Sequence, residues 1–537
     1  MLSTMPDYPL TIVRLFQHGA KIHSASQVAT WTGEGVHCTS FRELASRAGK
    51  LAAALRRIGV RPGDRVGTFC WNTPEHLEAY FAVPCIGAVL HTLNLRLFAD
   101  QLAYIVNHAE DRVVIVDESL VPGLAKVAKG LKSVEYYIVI GAGDGLPGDV
   151  LRYEDLLAAE RPSYEWPEID ERSAAGMCYT SGTTGNPKGV VYSHRSTFLH
   201  SMTLCEPWAC GLTDRDRILP IVPMFHANAW GLPYAGWMAG CDFLLPGRFL
   251  QAEPLCRMIE SCRPTVAAAV PTIWNSVLGY AESMPVDFSS IRVALCGGSA
   301  VPRKLAEQFL HKHGVRIVQA WGMTETSPLA AMAHPPKNCT TDEEINWMTK
   351  SGRLIPGVEL RLCLGDTVLD WDGKSVGEIE VRGPWVTASY YGDPSPEKFH
   401  DGWLRTGDIG TIDELGYIHL TDRAKDVIKS GGEWISSVEL ESALIDHPEV
   451  LEAAVISVPD KQWDERPLAC VVRKPGSRIT ADALRAYLTG RVAKWWIPER
   501  WAFIEEIPKT SVGKFDKKVL RAAHKKGAIE VHTTREP

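Results

Sequence analysis

Eleven residues, Tyr179 to Gly189, bring together four hydroxyl side chains (Thr180, Ser181, Thr183, Thr184), three glycines (Gly182, Gly185, Gly189) and Lys188. That composition cradles an anion. Glycine lets backbone N–H groups approach an oxyanion, hydroxyls add donors, and the ammonium supplies a point charge. Short apolar runs bracket the segment, Gly176-Met177-Cys178 before it and Val190-Val191-Tyr192 after it, and both read as strands. A P-loop requires G-x-x-x-x-G-K-[ST] leading into a helix. Here Pro187 stands where the second glycine belongs, and the chain continues as strand. The segment is expected to be a mobile triphosphate clasp on a hairpin; the competing expectation is a glycine-rich turn in solvent.

Three later segments offer partners for the rest of a nucleotide. Cys296-Gly297-Gly298-Ser299-Ala300 follows the apolar run Val293-Ala294-Leu295, at a strand end where α/β sheets bind ligands. Gln319-Ala320-Trp321-Gly322-Met323-Thr324-Glu325-Thr326 holds an aromatic plane, a glycine, a hydroxyl and a carboxylate. An aromatic ring stacks on adenine, a threonine donates to a phosphate, and a carboxylate holds Mg2+ through oxygen. Trp403-Leu404-Arg405-Thr406-Gly407-Asp408 ends on a carboxylate able to accept from both ribose hydroxyls. Each segment alone has a structural explanation. In this order they cover base, sugar, phosphates and metal.

Such loops need sheets to present them. At 537 residues the chain exceeds what one core serves, so two to four structural units are expected. Helix and strand patterns alternate: Phe41 to Ile58 helical with Leu44, Leu51 and Leu55 on one face, then strand Arg65 to Cys70, helix Glu75 to Ile86, and strands Ala88 to Leu90 and Asp111 to Asp117. This alternation implies parallel sheets covered by helices. After Gly383 the glycines Gly402, Gly407 and Gly416 punctuate short strands of a small barrel-like piece. The charged run Asp422 to Asp426 then marks a boundary, or simply a solvated turn. Beyond it follow helix Val438 to Asp446, strands Leu451 to Val458 and Ala469 to Arg473, and helix Ala481 to Val492. The expected fold class is α/β. A large N-terminal domain of helix-covered parallel sheets with a small β-barrel-like part (residues 1–421) precedes a small mobile α+β C-terminal domain (residues 422–537).

Composition narrows the classes. Hydrophobic residues at 45% and charged residues at 23% are those of a soluble globular protein, and a net charge of −7 argues against a nucleic-acid partner. The 13 cysteines include no C-x-x-C; Cys205 and Cys210 lie close together, but no second pair completes a zinc site. No secretory signal or apolar run of about 18 residues is visible, so a cytoplasmic protein with reduced thiols is expected. Peripheral membrane contact stays open.

In order and content, these motifs resemble the adenylate-forming superfamily of acyl-CoA synthetases, nonribosomal adenylation domains and firefly luciferase, with the match running from Phe41 to Lys518. The resemblance implies two steps: a carboxylate attacks the α-phosphorus of MgATP to give acyl-AMP and pyrophosphate, then a thiol, usually that of coenzyme A, displaces AMP. It places Thr180, Ser181, Gly182, Thr183, Thr184, Gly185 and Lys188 on the β- and γ-phosphates, with Thr184 also near the metal. Gly298, Ser299 and Ala300 would line the adenine and acyl-carbonyl region, and Trp321 with Gly322 would form the adenine site. Thr324 would meet the α-phosphate, Glu325 the Mg2+, Asp408 the ribose, and Arg423 the ribose or the hinge. Asp422 corresponds to the hinge about which the C-terminal domain turns.

Pro508-Lys509-Thr510-Ser511-Val512-Gly513-Lys514 matches the loop of the catalytic lysine, Lys514, while Lys517 and Lys518 read as surface lysines. The segment Lys429 to Glu433 reads as a strand whose Gly432 leaves room for the pantetheine of coenzyme A. Pro223 to Trp230 should border the acyl pocket. His226 is either a moving pocket wall or a core histidine. No aspartate lies between Asp216 and Asp242 to meet a substrate ammonium, which weighs against an amino acid.

The contexts of Trp230, an expected gate on an alkyl tunnel, and of Trp434, expected near the adenylate, are most similar to the bacterial medium- and long-chain fatty acyl-CoA synthetases. An ATP-dependent fatty acyl-CoA synthetase is therefore expected, with fatty acid, ATP and coenzyme A as partners and a homodimer implied by the resemblance. The alternatives are an aryl-CoA ligase, a fatty acyl-AMP ligase, or a non-catalytic nucleotide-binding protein. The basic and aromatic residues Arg491, Lys494, Trp495, Trp496, Arg500 and Trp501 fit a packed domain better than a membrane or RNA surface.

Overall fold

The computed structural model describes residue 1 and residues 3–162, 164–180, 186–431, 433–509 and 515–534. Local signals set the first elements. The helix Phe41–Arg57 starts on a capping box, with Ser40 Oγ accepting from the Glu43 N–H at 3.2 Å and Glu43 Oε2 accepting from the Ser40 N–H at 2.8 Å. Its buried face includes Leu44, Leu51 and Leu55.

Three sheets carry the architecture. In the first, strands Asp149–Arg152, Tyr136–Ile140, Asp111–Asp117, Arg65–Phe69 and Val89–Thr92 run parallel up to β1 (Ala174–Tyr179). An antiparallel hairpin partner, β2 (Gly189–Ser193), closes it. Asp111–Asp117 is covered on both faces, with Val113, Val114, Ile115 and Val116 fully buried, as a β-branched run in a parallel sheet should be. The second sheet is parallel through β3 (Val293–Gly297) and β4 (Ile317–Gly322), then turns antiparallel at Leu329–Met332. The antiparallel half contains β5 (Trp403–Ile412) and β6 (Tyr417–Arg423), which pair across a bulge at Ile409/Gly410.

That half corrects the expected barrel-like piece after Gly383. It begins some fifty residues earlier, at Leu329, and is a hydrogen-bonded continuation of the second sheet. Bulges bend it away from the parallel part, and short glycine-punctuated strands alone do not reveal that continuity.

The third sheet contains β7 (Ile428–Ser430), β8 (Glu433–Ile435), Val450–Asp460, Asp464–Arg473 and Arg500–Phe503. Helices α1 (Ser437–Ile445) and α2 (Lys517–Lys525) accompany it. Here three expectations change. Lys429 to Glu433 is not one strand, because β7 and β8 form an antiparallel hairpin that turns after Ser430. The helix from Ala481 ends at Leu488, two residues before Gly490, whose φ is +79°. The run Asp422 to Asp426 is no solvated turn, because both end carboxylates are buried. Trp501 and Arg500 fit the packed reading, the first fully buried and the second paired with Asp460 at 2.6 Å, whereas Trp495 lies exposed.

Candidate active site

The expected hairpin under Thr180 to Lys188 is present as β1–β2. Its neck is closed by Thr180 N–H donating to the Lys188 carbonyl at 2.9 Å and Lys188 N–H donating to Thr180 Oγ1 at 3.1 Å. Ser181, Gly182, Thr183, Thr184 and Gly185 lie outside the described residues, as do Gly432 and Lys514. The Lys188 ammonium sits 3.1 Å from Asp393 Oδ2, contacts Ser395 Oγ, and lies 4.9 Å above the Tyr390 ring. Tyr390 in turn donates its phenol to Glu325 Oε1 at 2.6 Å. One aromatic ring thus joins the neck of the phosphate segment to the carboxylate expected to face the metal. Burial, and then the Glu325 charge, push the Tyr390 phenol upward, so it stays a donor.

Thr324 and Glu325 form a tight turn beyond β4, both buried, with the Thr324 carbonyl accepting from Tyr192 at 2.8 Å. The turn depends on Gly322, since a Cβ there would stand 1.8 Å from the Pro328 carbonyl oxygen. At the end of β4, Trp321 donates its indole N–H to Asp408 Oδ2 at 2.9 Å. Arg423 Nε lies 2.6 Å from Oδ1 of the same carboxylate. The indole N–H therefore has a buried acceptor. A buried carboxylate holding an aromatic plane and a guanidinium leaves further lone pairs for hydroxyl donors.

The turn expected to border the acyl pocket carries backbone strain. Ala227, Asn228, Ala229 and Trp230 all have positive φ, from 42° to 60°, a left-handed turn costing roughly 1–2 kcal/mol per residue. Strain of this kind persists where neighbours over-determine it. The Trp230 indole fills the space beside Gly297, where a Cβ would come within 3.3 Å of its Cη2 and 2.8 Å of the Ala320 carbonyl. Gly298, Ser299 and Ala300 follow, exposed at the strand end. His226 precedes the left-handed turn and is half-buried, its N–H bonded to the Pro223 carbonyl.

Five separate stretches are thus joined by contacts: Lys188 through Tyr390 to Glu325, Trp230 to Gly297, and Trp321 through Asp408 to Arg423. The chain belongs to the AMP-binding enzyme family. The model of that family's AMP-binding domain matches residues 16–391, and that of the C-terminal domain matches residues 439–514. This AMP-binding enzyme is 42% identical to the medium-chain-fatty-acid–CoA ligase of Ectopseudomonas oleovorans, over 97% of each chain. It is 43% identical to the long-chain-fatty-acid–CoA ligase of Thermus thermophilus, again over 97% of each. Among solved structures, an anthranilate CoA ligase in complex with anthranoyl-AMP aligns over 97% of this chain and 99% of that one, at TM-score 0.88 and 27% identity. MatB from Rhodopseudomonas palustris aligns at TM-score 0.82 in its ATP-bound form (28% identity, 96% and 99% covered) and at 0.73 in its apo form (27%, 97% and 99%). The α/β fold, with a large N-terminal and a small C-terminal domain, is that of this AMP-binding enzyme family.

Trp434 is half-buried on β8. Asp422 accepts from the N–H and hydroxyl of Ser437 at 2.7 and 2.5 Å, the first residue of α1. Lys517, expected on the surface, is the clearest correction: its side chain is 10% exposed and its ammonium lies 2.7 Å from Glu441 Oε1. A lysine-rich tail gives no hint of that burial. Tyr390, Ser437 and Lys517 carry no motif of their own, and the pairing of their partners in space is what brings them into view. All 13 cysteines, Cys205 and Cys210 included, are free thiols. Among the described residues no group of three His, Cys, Asp or Glu side chains is arranged to hold a metal, and no helix is long and apolar enough to cross a membrane.

Proposed function

We propose that this chain is an AMP-forming acid–thiol ligase that activates a medium- or long-chain fatty acid with ATP and transfers the acyl group to coenzyme A. The observation that carries the reading is the bridge from Lys188 through Tyr390 to Glu325, beside the Trp321–Asp408–Arg423 cluster. It links a cation to a carboxylate, next in the chain to an aromatic plane that is hydrogen-bonded to a second carboxylate.

In the first step a carboxylate oxygen of the acid forms a bond to the α-phosphorus while the bond to the β-phosphate oxygen breaks. Trp321 and Asp408 orient adenine and ribose, and Thr324 faces the α-phosphate. Lys188 and the hairpin segment take up charge on departing pyrophosphate. Glu325 fits Mg2+ in the usual mode of that ion, one carboxylate together with substrate phosphates, which needs no larger cage of protein ligands. The ion, when bound, neutralises phosphate charge. Lys514 offsets the charge that grows between the acid and the α-phosphate. In the second step the thiol sulfur attacks the acyl carbon, the carbon–oxygen bond to AMP breaks, and the thiol proton passes to solvent. The packing of Trp230 against the apolar core and the lack of an aspartate between Asp216 and Asp242 in the sequence suit an uncharged acyl chain. An apolar pocket separates chain lengths by only about 1–3 kcal/mol per methylene, so a range of acids is expected.

The test is a panel of fatty and aryl acids with ATP, Mg2+ and coenzyme A, following AMP, pyrophosphate and thioester together. Equimolar AMP and acyl-CoA from fatty acids is the expected result. No AMP with any acid, or acyl-AMP that ignores coenzyme A, would sink the proposal.

A further inference from the structure

Lys517 opens α2 three residues beyond Lys514 in the sequence. Its ammonium donates to Ser437 Oγ at 2.5 Å besides pairing with Glu441. Glu441 Oε1 also accepts the Val455 N–H at 2.7 Å, which fixes it to the third sheet. Through Ser437 the ammonium reaches Asp422 on β6, a strand of the second sheet. The next residue, Arg423, reaches Asp408 in the nucleotide cluster. Successive strand residues point to opposite faces, so β6 presents one charge to the nucleotide side and one to α1.

Two carboxylates and an ammonium buried together are costly unless each is paired. Burial pushes Asp422 and Glu441 upward. Burial pulls Lys517 down, but Glu441, Asp422 and Asp426 outweigh it and the lysine ends raised and charged. The stretch before Lys517 is tied at both flanks. Lys509 and Phe515 form an antiparallel bridge, and Asp516 N–H donates to the Pro508 carbonyl at 2.7 Å. A shift of Lys517 therefore moves the base of the segment that carries Lys514.

We propose that Ser437 and Lys517 are positioning residues for the adenylation step, fixing the base of the Lys514 segment to the hinge residue Asp422. The proposal rests on the two-step reading above. It makes the hydroxyl of Ser437 the link: this single oxygen donates to the second sheet's carboxylate and accepts from the lysine at the foot of the catalytic segment. When the hinge turns for the thiol step, the link opens, so only the first step depends on it.

Ser437→Ala removes the hydroxyl and leaves both the Lys517–Glu441 pair and the backbone N–H bond to Asp422. Single-turnover measurements separate pyrophosphate release from acid and ATP from thioester formation with supplied acyl-AMP and coenzyme A. We expect pyrophosphate release to fall about tenfold while thioester formation stays within about twofold. In a Lys514→Ala background the same change should cost adenylation nothing further, because Ser437 acts through Lys514. Equal loss in both half-reactions, no loss in either, or an additive loss on the Lys514→Ala background would overturn the proposal. The background comparison keeps its meaning even where the single variant is less stable. Failure of the wild-type chain to release pyrophosphate with any acid would count against the proposed function, not against this link.

Discussion

Around Trp321 the buried polar groups come from strands of one sheet, whereas around Lys517 they come from β6, α1 and α2, elements of two sheets and their helices. In the first cluster Asp408 is held between an indole N–H and a guanidinium, both from strands of its own sheet. In the second, Asp422 belongs to one sheet, its partner Ser437 to α1, and the lysine that bonds Ser437 to α2. The same chemistry of paired buried charge therefore does two things. Within one sheet it fixes a buried carboxylate between two donors; between elements it ties β6 to α1 and α2.

If that contrast is right, removing a group that acts only in the transition state should hurt most. Lys514→Ala should slow pyrophosphate release by about 10²–10³-fold while thioester formation from supplied acyl-AMP largely survives. Equal loss of both steps would erase the distinction between the two regions. Asp408→Ala strikes the preorganised cluster instead. It leaves the Trp321 N–H and Arg423 unpaired, and ATP binding should weaken by about tenfold to a hundredfold, read in the KM for ATP. Asp408→Asn, which still accepts from the indole, should lose less.

A stability test separates the rigid body from the boundary. His200 is buried against Gly231, accepts from the Leu329 N–H at 3.3 Å, and is pulled down to about 3 by burial. Its unfolded pKa is near 6.5, so its contribution is present above that value and is lost as pH falls toward 3. Between pH 7 and 5 the wild-type chain should lose about 2 kcal/mol more stability than His200→Gln, measured by denaturant midpoints. Identical pH slopes would contradict the neutral buried histidine. The smallest effect is expected at Tyr390→Phe. Loss of one hydrogen bond to Glu325 should cost about 1–2 kcal/mol, seen as a weaker apparent affinity for Mg2+ in pyrophosphate release. An unchanged Mg2+ dependence would detach Tyr390 from the metal side.

How much of this was legible in the sequence follows the same division. The hairpin under Thr180 to Lys188, the strand ends at Gly297 and Gly322, and Asp408 on β5 each announce themselves by composition and by an apolar run before them. Local signals suffice there because the sheet itself brings successive strand ends together. The left-handed turn at Ala227 to Trp230 was not readable, since none of the four residues is glycine and strain is set by packing from elsewhere. The burial of Lys517 is hidden in the sequence for a related reason. Its type and neighbours are those of a solvated tail, and only the folded chain brings Glu441, Ser437 and Asp422 to it. Likewise the antiparallel half of the second sheet reads as a separate unit until its pairing with Leu329–Met332 is seen.

The central claim, that the acid is activated as an acyl adenylate and then passed to a thiol, has a direct atomic signature. A fatty acid carrying oxygen-18 in both carboxylate positions, turned over with ATP, Mg2+ and coenzyme A, should deliver one label to AMP and leave one in the acyl-CoA carbonyl. Label in inorganic phosphate with ADP as the nucleotide product, or AMP without label, would contradict the account.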